Sequence, residues 1–297
     1  MFGKRSDGRA VGNGVDPITR ITPFIMPERV DALCYTTQYA DCEILDSYVR
    51  RKHAEGLKFS KMAVILAAYV RAVSQYPEVN RFVVGKKLYA RNELCVSFAM
   101  LKINSATDFL ETTVKVYFDP TDTVFDVARK IDDTIEKNRV VSNENKTDKV
   151  AHVLISIPGL LTVGVGFLKW LDKHGLMPRA IVDASPFHSS LWITNMASIK
   201  MNPLHHHIYN FGTSTAFIGL GKKEARTTLK RDGEVEVRNV YPMACTIDER
   251  VCAGAVYSMA FQVLNDMLKN PEKLEVPPEK VRYDCGVEYH CKEDKIH

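Results

Sequence analysis

From Lys61 to Tyr76 the chain reads KMAVILAAYVRAVSQY, a stretch whose apolar residues cover most sides of a helix rather than one stripe. Such a helix has to be covered almost all round, so it belongs at the centre of a packed fold. Ser60 is placed to cap its start, and Pro77 ends it, because the residue before proline avoids helical geometry. With 297 residues, 45% hydrophobic and 26% charged, the chain can bury a full core around this helix without covalent staples.

The rest of the sequence alternates helix and strand periods, with no internal repeat. LCYTTQYADCEI predicts a strand running into a helix whose Ile44, Leu45, Tyr48, Val49 and Lys52 share a face, ended by Gly56. RFVVG, KKLYA, LCVSFAML and TTVKVYF read as a meander of strands, the first pair turning at Gly85. A charged helix starts at Asp122 or Thr123, with Val124, Val127, Ala128, Ile131 and Ile135 facing inward. SLWITNM, TSTAFIGLG and GEVEVRNVYPMACTI are further strands. The last helix, GAVYSMAFQVLNDMLKN, is expected to bury Val256, Met259, Ala260, Val263, Leu264 and Met267 before Pro271. Strands with several antiparallel neighbours and long flanking helices predict an α/β fold, an α+β two-layer sandwich with a mixed sheet.

Forty basic against thirty-six acidic residues leave a net charge of +4, too small and dispersed for a nucleic-acid footprint. The seven cysteines are odd in number and form no CxxC pair, which points to a reducing, cytoplasmic setting. The first residues, MFGKRSDGRAVGNG, lack an apolar core for a signal peptide, and residues 1–19 read as a loose arm. From Ala151 to Leu168 no residue is charged, yet Pro158, Gly159, Gly164 and Gly166 interrupt the run. LKWLDKHG then adds charges at helical spacing, so a short helix with one apolar face is expected rather than a membrane span. Its apolar face could serve as a subunit interface, a flap over a greasy substrate, or a peripheral membrane contact through residues 153–171.

From Cys245 to Leu274 the sequence CTIDERVCAGAVYSMAFQVLNDMLKNPEKL resembles the C-terminal signature of the 2-oxoacid dehydrogenase acyltransferase catalytic domain, whose fold chloramphenicol acetyltransferase shares. Asp248, Arg250, Val251, Gly254, Ala255 and Asn270-Pro271-Glu272-Lys273-Leu274 stand in register with it. SSLWITNM resembles the family's T-I-S-N-L-G strand, TAFIGLGKK its A-I-L-G-V-G-R strand, and SQYPEVNRFVVGKKLY its H-P-x-L-N segment. The resemblance makes residues 20–280 one catalytic-type domain, with an insertion over 153–180 foreign to the dehydrogenase members and a tail over 281–297. It implies a homotrimer with active sites between subunits, and acyl-coenzyme A as substrate. Neither a lipoyl group nor a metal is expected on this chain.

The resemblance also exposes departures. The family's general base, a His, and the supporting Asp or Asn four residues later are here Glu249 and Ala253. A free Glu titrates near 4.3 and is a weaker base for a thiol than imidazole near 6.5. Thr194 stands where the family's Ser donates to the oxyanion, a role its hydroxyl can keep, or it is simply a β-branched strand residue. Asn195 and Arg250 are carried over as substrate-binding positions. His205, His206 and His207 lie in a loop-to-strand position, where alternation would send His206 to one face and the other two to the opposite face. His206 or His207 is a candidate replacement base and His205 a substrate contact; a polar loop is the simpler reading. His188 ranks lower. Metal binding by this run lacks a supporting carboxylate or thiolate, and Cys285, His290, Cys291 and His297 lack compact zinc spacing. Cys252 reads as a small buried hydrophobe.

Two functions follow. One is a CoA-dependent acyltransferase acting on a small thiol, hydroxyl or amine; the other is a catalytically silent relative serving as a trimeric ligand-binding or scaffold protein.

Overall fold

The computed structural model describes residues 5–12, 14–103, 109–140, 156 and 159–289. Its centre is a mixed seven-stranded sheet in the order β2 (Leu33–Asp41), β10 (Val235–Asp248), β8 (Ala216–Leu220), β7 (Leu191–Asn195), β5 (Leu94–Ile103), β6 (Phe109–Phe118), with β9 (Glu224–Leu229) paired to the first half of β10. β7 runs parallel to β5 and β8, and the remaining pairs are antiparallel. A separate sheet joins β1 (Gly8–Ala10), β4 (Lys87–Arg91) and β3 (Phe82–Val84). The strands expected as one meander are therefore split between two sheets. β9 falls outside the strands expected from the sequence, because its polar, exposed EARTTL carries no buried alternation to announce it.

One face of the large sheet is covered by α2 (Cys42–Ala54), α3 (Lys61–Gln75), α4 (Val124–Val140) and α7 (Gly254–Lys269). As its composition predicts, α3 is buried without a break from Ala63 to Ser74 and packs on both α4 and α7. Ser60 caps it through a bond from Ala63 N, and Asp41 caps α2 through Glu43 N and Ile44 N. In α7 the buried stripe consists of Tyr257, Ala260, Leu264, Met267 and Leu268. Met259, expected inside, is exposed because it falls on the far side of that stripe.

Strand alternation sorts the sheet. Ile193, Ile218 and Cys245 are register partners and lie in the main core, whereas Trp192 and Phe217 point the other way and join Ile208 in a smaller core. That second face is covered by the chain from 196 to 215. The cover is tight: a Cβ on Gly219 would sit 2.4 Å from Leu204 O, and one on Gly221 would sit 2.6 Å from Pro203 N. Only glycine leaves room for backbone to lie on β8 there.

The expected loose arm over 1–19 is docked from residue 5 onward. Arg5 is buried, donating to both carboxylate oxygens of Asp7 (2.7 and 2.8 Å), to Asp172 Oδ1 (2.7 Å) and to Asp172 O (2.6 Å). β1 then pairs with β4, and α1 (Pro17–Ile25) follows, capped by Asp16. The physical reason is the buried cation: once paired, it fixes the segment on either side of it. The expected solvated tail over 281–297 is likewise docked as far as 289, where Arg81 grips Asp284 with two bonds of 2.7 Å and the Tyr289 hydroxyl accepts from Asn80. His290, Cys291 and His297 lie outside the described residues.

Asp172 belongs to α5 (Leu160–Lys173), the apolar insertion, and α6 (Arg179–Ala184) leads back to β7. Burial pushes the Asp172 and Asp7 carboxyls up, but Arg5, together with His188 beside Asp172, outweighs it and holds both below the usual range. Depressed carboxylates stabilise the fold above their unfolded pKa, and that contribution disappears as pH falls through the folded value. Stability should therefore drop below about pH 4. Arg5→Met should lower the urea midpoint at neutral pH and flatten this acid loss, since protonation then relieves two buried carboxylates that have lost their shared cation; equal acid sensitivity in both proteins would disprove the assignment.

Candidate functional site

Beyond β10 the chain turns at Asp248-Glu249-Arg250, and the turn is built on one buried carboxylate. Asp248 accepts Arg250 Nε (2.8 Å), Arg250 Nη2 (2.7 Å) and Arg250 N (3.1 Å), and lies 3.4 Å from Arg29 Nε. The two guanidiniums then reach outward. Arg250 Nη1 donates to the carbonyls of Met26 and Pro27, and Arg29 donates to those of Tyr209 and Gly212. Burial pushes the Arg29 guanidinium down to about 10, with Asp248 opposing, so it stays cationic at neutral pH. Arg250 was expected to bind substrate. It is instead buried, and its guanidinium is taken up by Asp248 and by the carbonyls of Met26 and Pro27.

Between those two residues Glu249 is exposed, its amide tied to Ala32 O (3.0 Å) and its carboxylate accepting from Cys34 Sγ (3.5 Å). It borders a groove of about 660 Å³ between β2, α7 and α1. Thr36 and Gln38 from alternate positions of β2, Ser258 and Asn265 from one face of α7, and Thr19 and Thr22 from α1 supply its polar lining. Ala253, where the family carries a supporting Asp or Asn, is also on its wall and supplies no polar group at that position. Cys34 and Cys252 both line the groove. Burial raises both thiols, Cys252 to about 12, and Glu249 adds to the shift at Cys34, so neither is a thiolate at neutral pH. Cys34 is the lining residue that sequence reasoning missed; its place in an alternating strand beside the signature turn was the available signal.

Thr194 and Asn195 end β7 on the opposite side of the molecule. Thr194 is half-buried, with its hydroxyl directed to the weak acceptor Met196 Sδ at 3.6 Å, and Asn195 is exposed. Register places Thr194 in one row with Gly219, Ala244 and Thr37. Leu191, Ala216 and Ile247 form another row, from which Thr194 lies three residues one way and Glu249 two the other. Thr194 and Glu249 are thus five residues apart along the strands, about 17 Å at roughly 3.3 Å per residue. Within one chain the structure does not bring them together.

The histidines are not on a strand. Residues 201–209 are irregular, so the expected alternation of faces does not apply. The loop lies over Gly219 and Gly221 and is held by rings: His206 stacks on Phe217 (4.3 Å) and on His207 (4.5 Å). His206 Nδ1 also contacts His207 O at 2.6 Å. His205 and His207 are exposed, and His205 has its Nε2 3.1 Å from Thr37 Oγ1 and its ring edge-on to Tyr35. It shares the sheet face and row of Thr194. His188 is buried, with Nδ1 2.8 Å from Ser185 Oγ and Nε2 3.3 Å from Asp172 Oδ1. Among the described residues no group of three His, Cys, Asp or Glu side chains is arranged to hold a metal ion.

The Asp248 scaffold makes a direct prediction. Replacing one partner of a buried ion pair leaves the other charge uncompensated, which costs about 3–5 kcal/mol. Asp248→Asn should therefore lower stability by that amount, measured by urea unfolding, whereas Glu249→Gln, at an exposed position, should change it by less than about 0.5 kcal/mol.

Residues 188–276 match the family of 2-oxoacid dehydrogenases acyltransferase (catalytic domain). No curated protein matches the chain. Among solved structures, a probable dihydrolipoamide acetyltransferase from Listeria monocytogenes aligns over 94% of this chain and 99% of its own, at 16% identity and a TM-score of 0.53. The cubic core of a pyruvate dehydrogenase multienzyme complex covers 92% and 94%, at 15% identity and 0.54. A chloramphenicol acetyltransferase covers 88% and 100%, at 14% identity and 0.52. At such identities the likeness is one of fold. Over residues 188–276 the chain is thus similar in sequence to the 2-oxoacid dehydrogenase acyltransferase catalytic domain, and over most of its length it has the fold of dihydrolipoamide acetyltransferase cores and chloramphenicol acetyltransferase.

Proposed function

We propose that the protein is a CoA-dependent acyltransferase that moves an acyl group between coenzyme A and a small thiol, hydroxyl or amine acceptor. The observation that carries this reading is the open groove at the family signature, where an exposed carboxylate, Glu249, stands at the family's base position, with Asp16 at the start of α1 the other carboxylate on the lining. The acceptor would lose its proton to Glu249 as it attacks the thioester carbonyl. The oxyanion would accept a hydrogen bond from Thr194, and the CoA thiolate would leave and take up the proton.

Because Thr194 and Glu249 lie at opposite ends of the sheet in one chain, the complete site would form between copies. This is the trimeric arrangement that the family resemblance implies. The insertion then has two roles open to it: cover for an apolar acyl chain and, through residues 153–171, peripheral contact with a membrane. Among the described residues no helix is long and apolar enough to cross one.

Ala253 favours a second reading, a catalytically silent trimeric scaffold, since it removes the group that would support a base. Thiol release from a panel of acyl-CoA thioesters decides between them. Thr194→Ala should slow release by about 100-fold or more, and Glu249→Gln by a comparable factor. Co-assembling the two variants should restore part of the activity, because one site type in the mixed oligomer keeps both groups. CoA binding with no thiol release from any thioester would leave the scaffold reading standing.

A further inference from the structure

α1 and α5 turn apolar side chains outward beside one another. On α1 the residues Ile18, Ile21, Phe24 and Ile25 form a single exposed stripe, Phe24 being 62% and Ile25 73% exposed, while Thr19 and Pro23 face inward. On α5 the residues Leu161, Val163, Val165, Phe167 and Trp170 are exposed, and the rings of Phe167 and Trp170 stack. The turn between β3 and β4 joins the two helices: Lys86 Nζ lies 5.6 Å from the Phe24 ring centre, and the Cβ position of Gly85 is 3.4 Å from Lys173 O. The groove between them, about 580 Å³, carries Lys86, Lys169 and Lys173 on its rim against one exposed carboxylate, Glu28.

We propose that this surface docks the protein on an anionic lipid bilayer, with α1 and the first turns of α5 among the acyl chains and the three lysines at the phosphate level. Exposed apolar stripes of this size mark interaction surfaces, and what they meet is decided here by charge. No carboxylate among the described residues pairs with Lys86, Lys169 or Lys173. α5 has the order of an interfacial helix: an uncharged stretch first, then Trp170 flanked by Lys169 and Lys173, an aromatic and two cations where headgroups would lie. A second copy of the chain would present the same three cations and meet this surface with like charge. The clasp of Arg5 on Asp172 fixes the base of α5, so the helix stands from the fold at a set position. The inference deepens the peripheral contact proposed for residues 153–171, adds α1 and a lipid charge class to it, and is independent of acyl transfer.

Co-sedimentation of the full chain with vesicles tests it. Binding should occur to phosphatidylcholine mixed with phosphatidylglycerol, weaken with salt, and be nearly absent on phosphatidylcholine alone. The protein has two tryptophans, and Trp192 is buried, so a blue shift and quenching by bromolipid would report Trp170 entering the bilayer. Each of Lys86→Ala, Lys169→Ala and Lys173→Ala should lower partitioning about fivefold. Phe167→Ser with Trp170→Ser, and separately Phe24→Ser with Ile25→Ser, should abolish it. Failure to bind anionic vesicles, binding that survives these changes, or loss of self-association without any vesicle binding in the Phe24 and Ile25 variant would overturn the proposal. Thiol release, measured without vesicles, reports separately on the acyltransferase reading.

Discussion

A single carboxylate fastens three parts of the molecule that are remote in sequence. Asp248 closes the longest strand, and the two guanidiniums it gathers carry that anchorage to the chain following α1 and to the segment that covers the second face of the sheet. The α7 helix joins the same point through the Tyr257 hydroxyl, which donates to Asp248 O. A charge buried this completely is tolerable only with each partner in place, so it imposes geometry on every segment it touches. The exposed position of Glu249 is a by-product: with its two neighbours directed inward, the residue between them has to face the groove.

The legible parts of this fold were those in which side-chain chemistry repeats. Continuous burial of α3, the inward face of α4 and the alternation in β7, β8 and β10 all follow from apolar spacing. The family signature in turn indicated where Glu249 and Thr194 would fall along the chain. What the sequence could not reveal were long-range pairings of single residues. Arg5 looks like any basic residue in a polar segment until Asp172 is brought to it, and Arg250 looks like a ligand for anionic substrate until Asp248 is seen to face it. The histidine run misled for a related reason. Its three identical residues suggest one shared task, whereas ring stacking on Phe217 holds His206 and leaves His205 alone in contact with Thr37.

The separation of Thr194 from Glu249 has a general meaning for a fold of this kind. A sheet with helices on one face and a thin loop cover on the other offers two surfaces that no single chain can bring together, because the sheet itself stands between them. A change at Glu249 therefore need not disturb Thr194, since the two are built on separate supports, one by the Asp248 turn and the other by the end of β7.

The Arg5 clasp sets an order of events during synthesis. Arg5 leaves the ribosome well ahead of its carboxylate at Asp172, which follows 167 residues later. Until then β1 has only Asp7 to hold its cation, and the small sheet it completes must first wait for β3 and β4. The apolar helix on the other side of the clasp can be set at its final angle only after both ends of this long loop have met. A nascent chain thus releases its greasiest segment unanchored, and a residue made long before is the one that finally secures it.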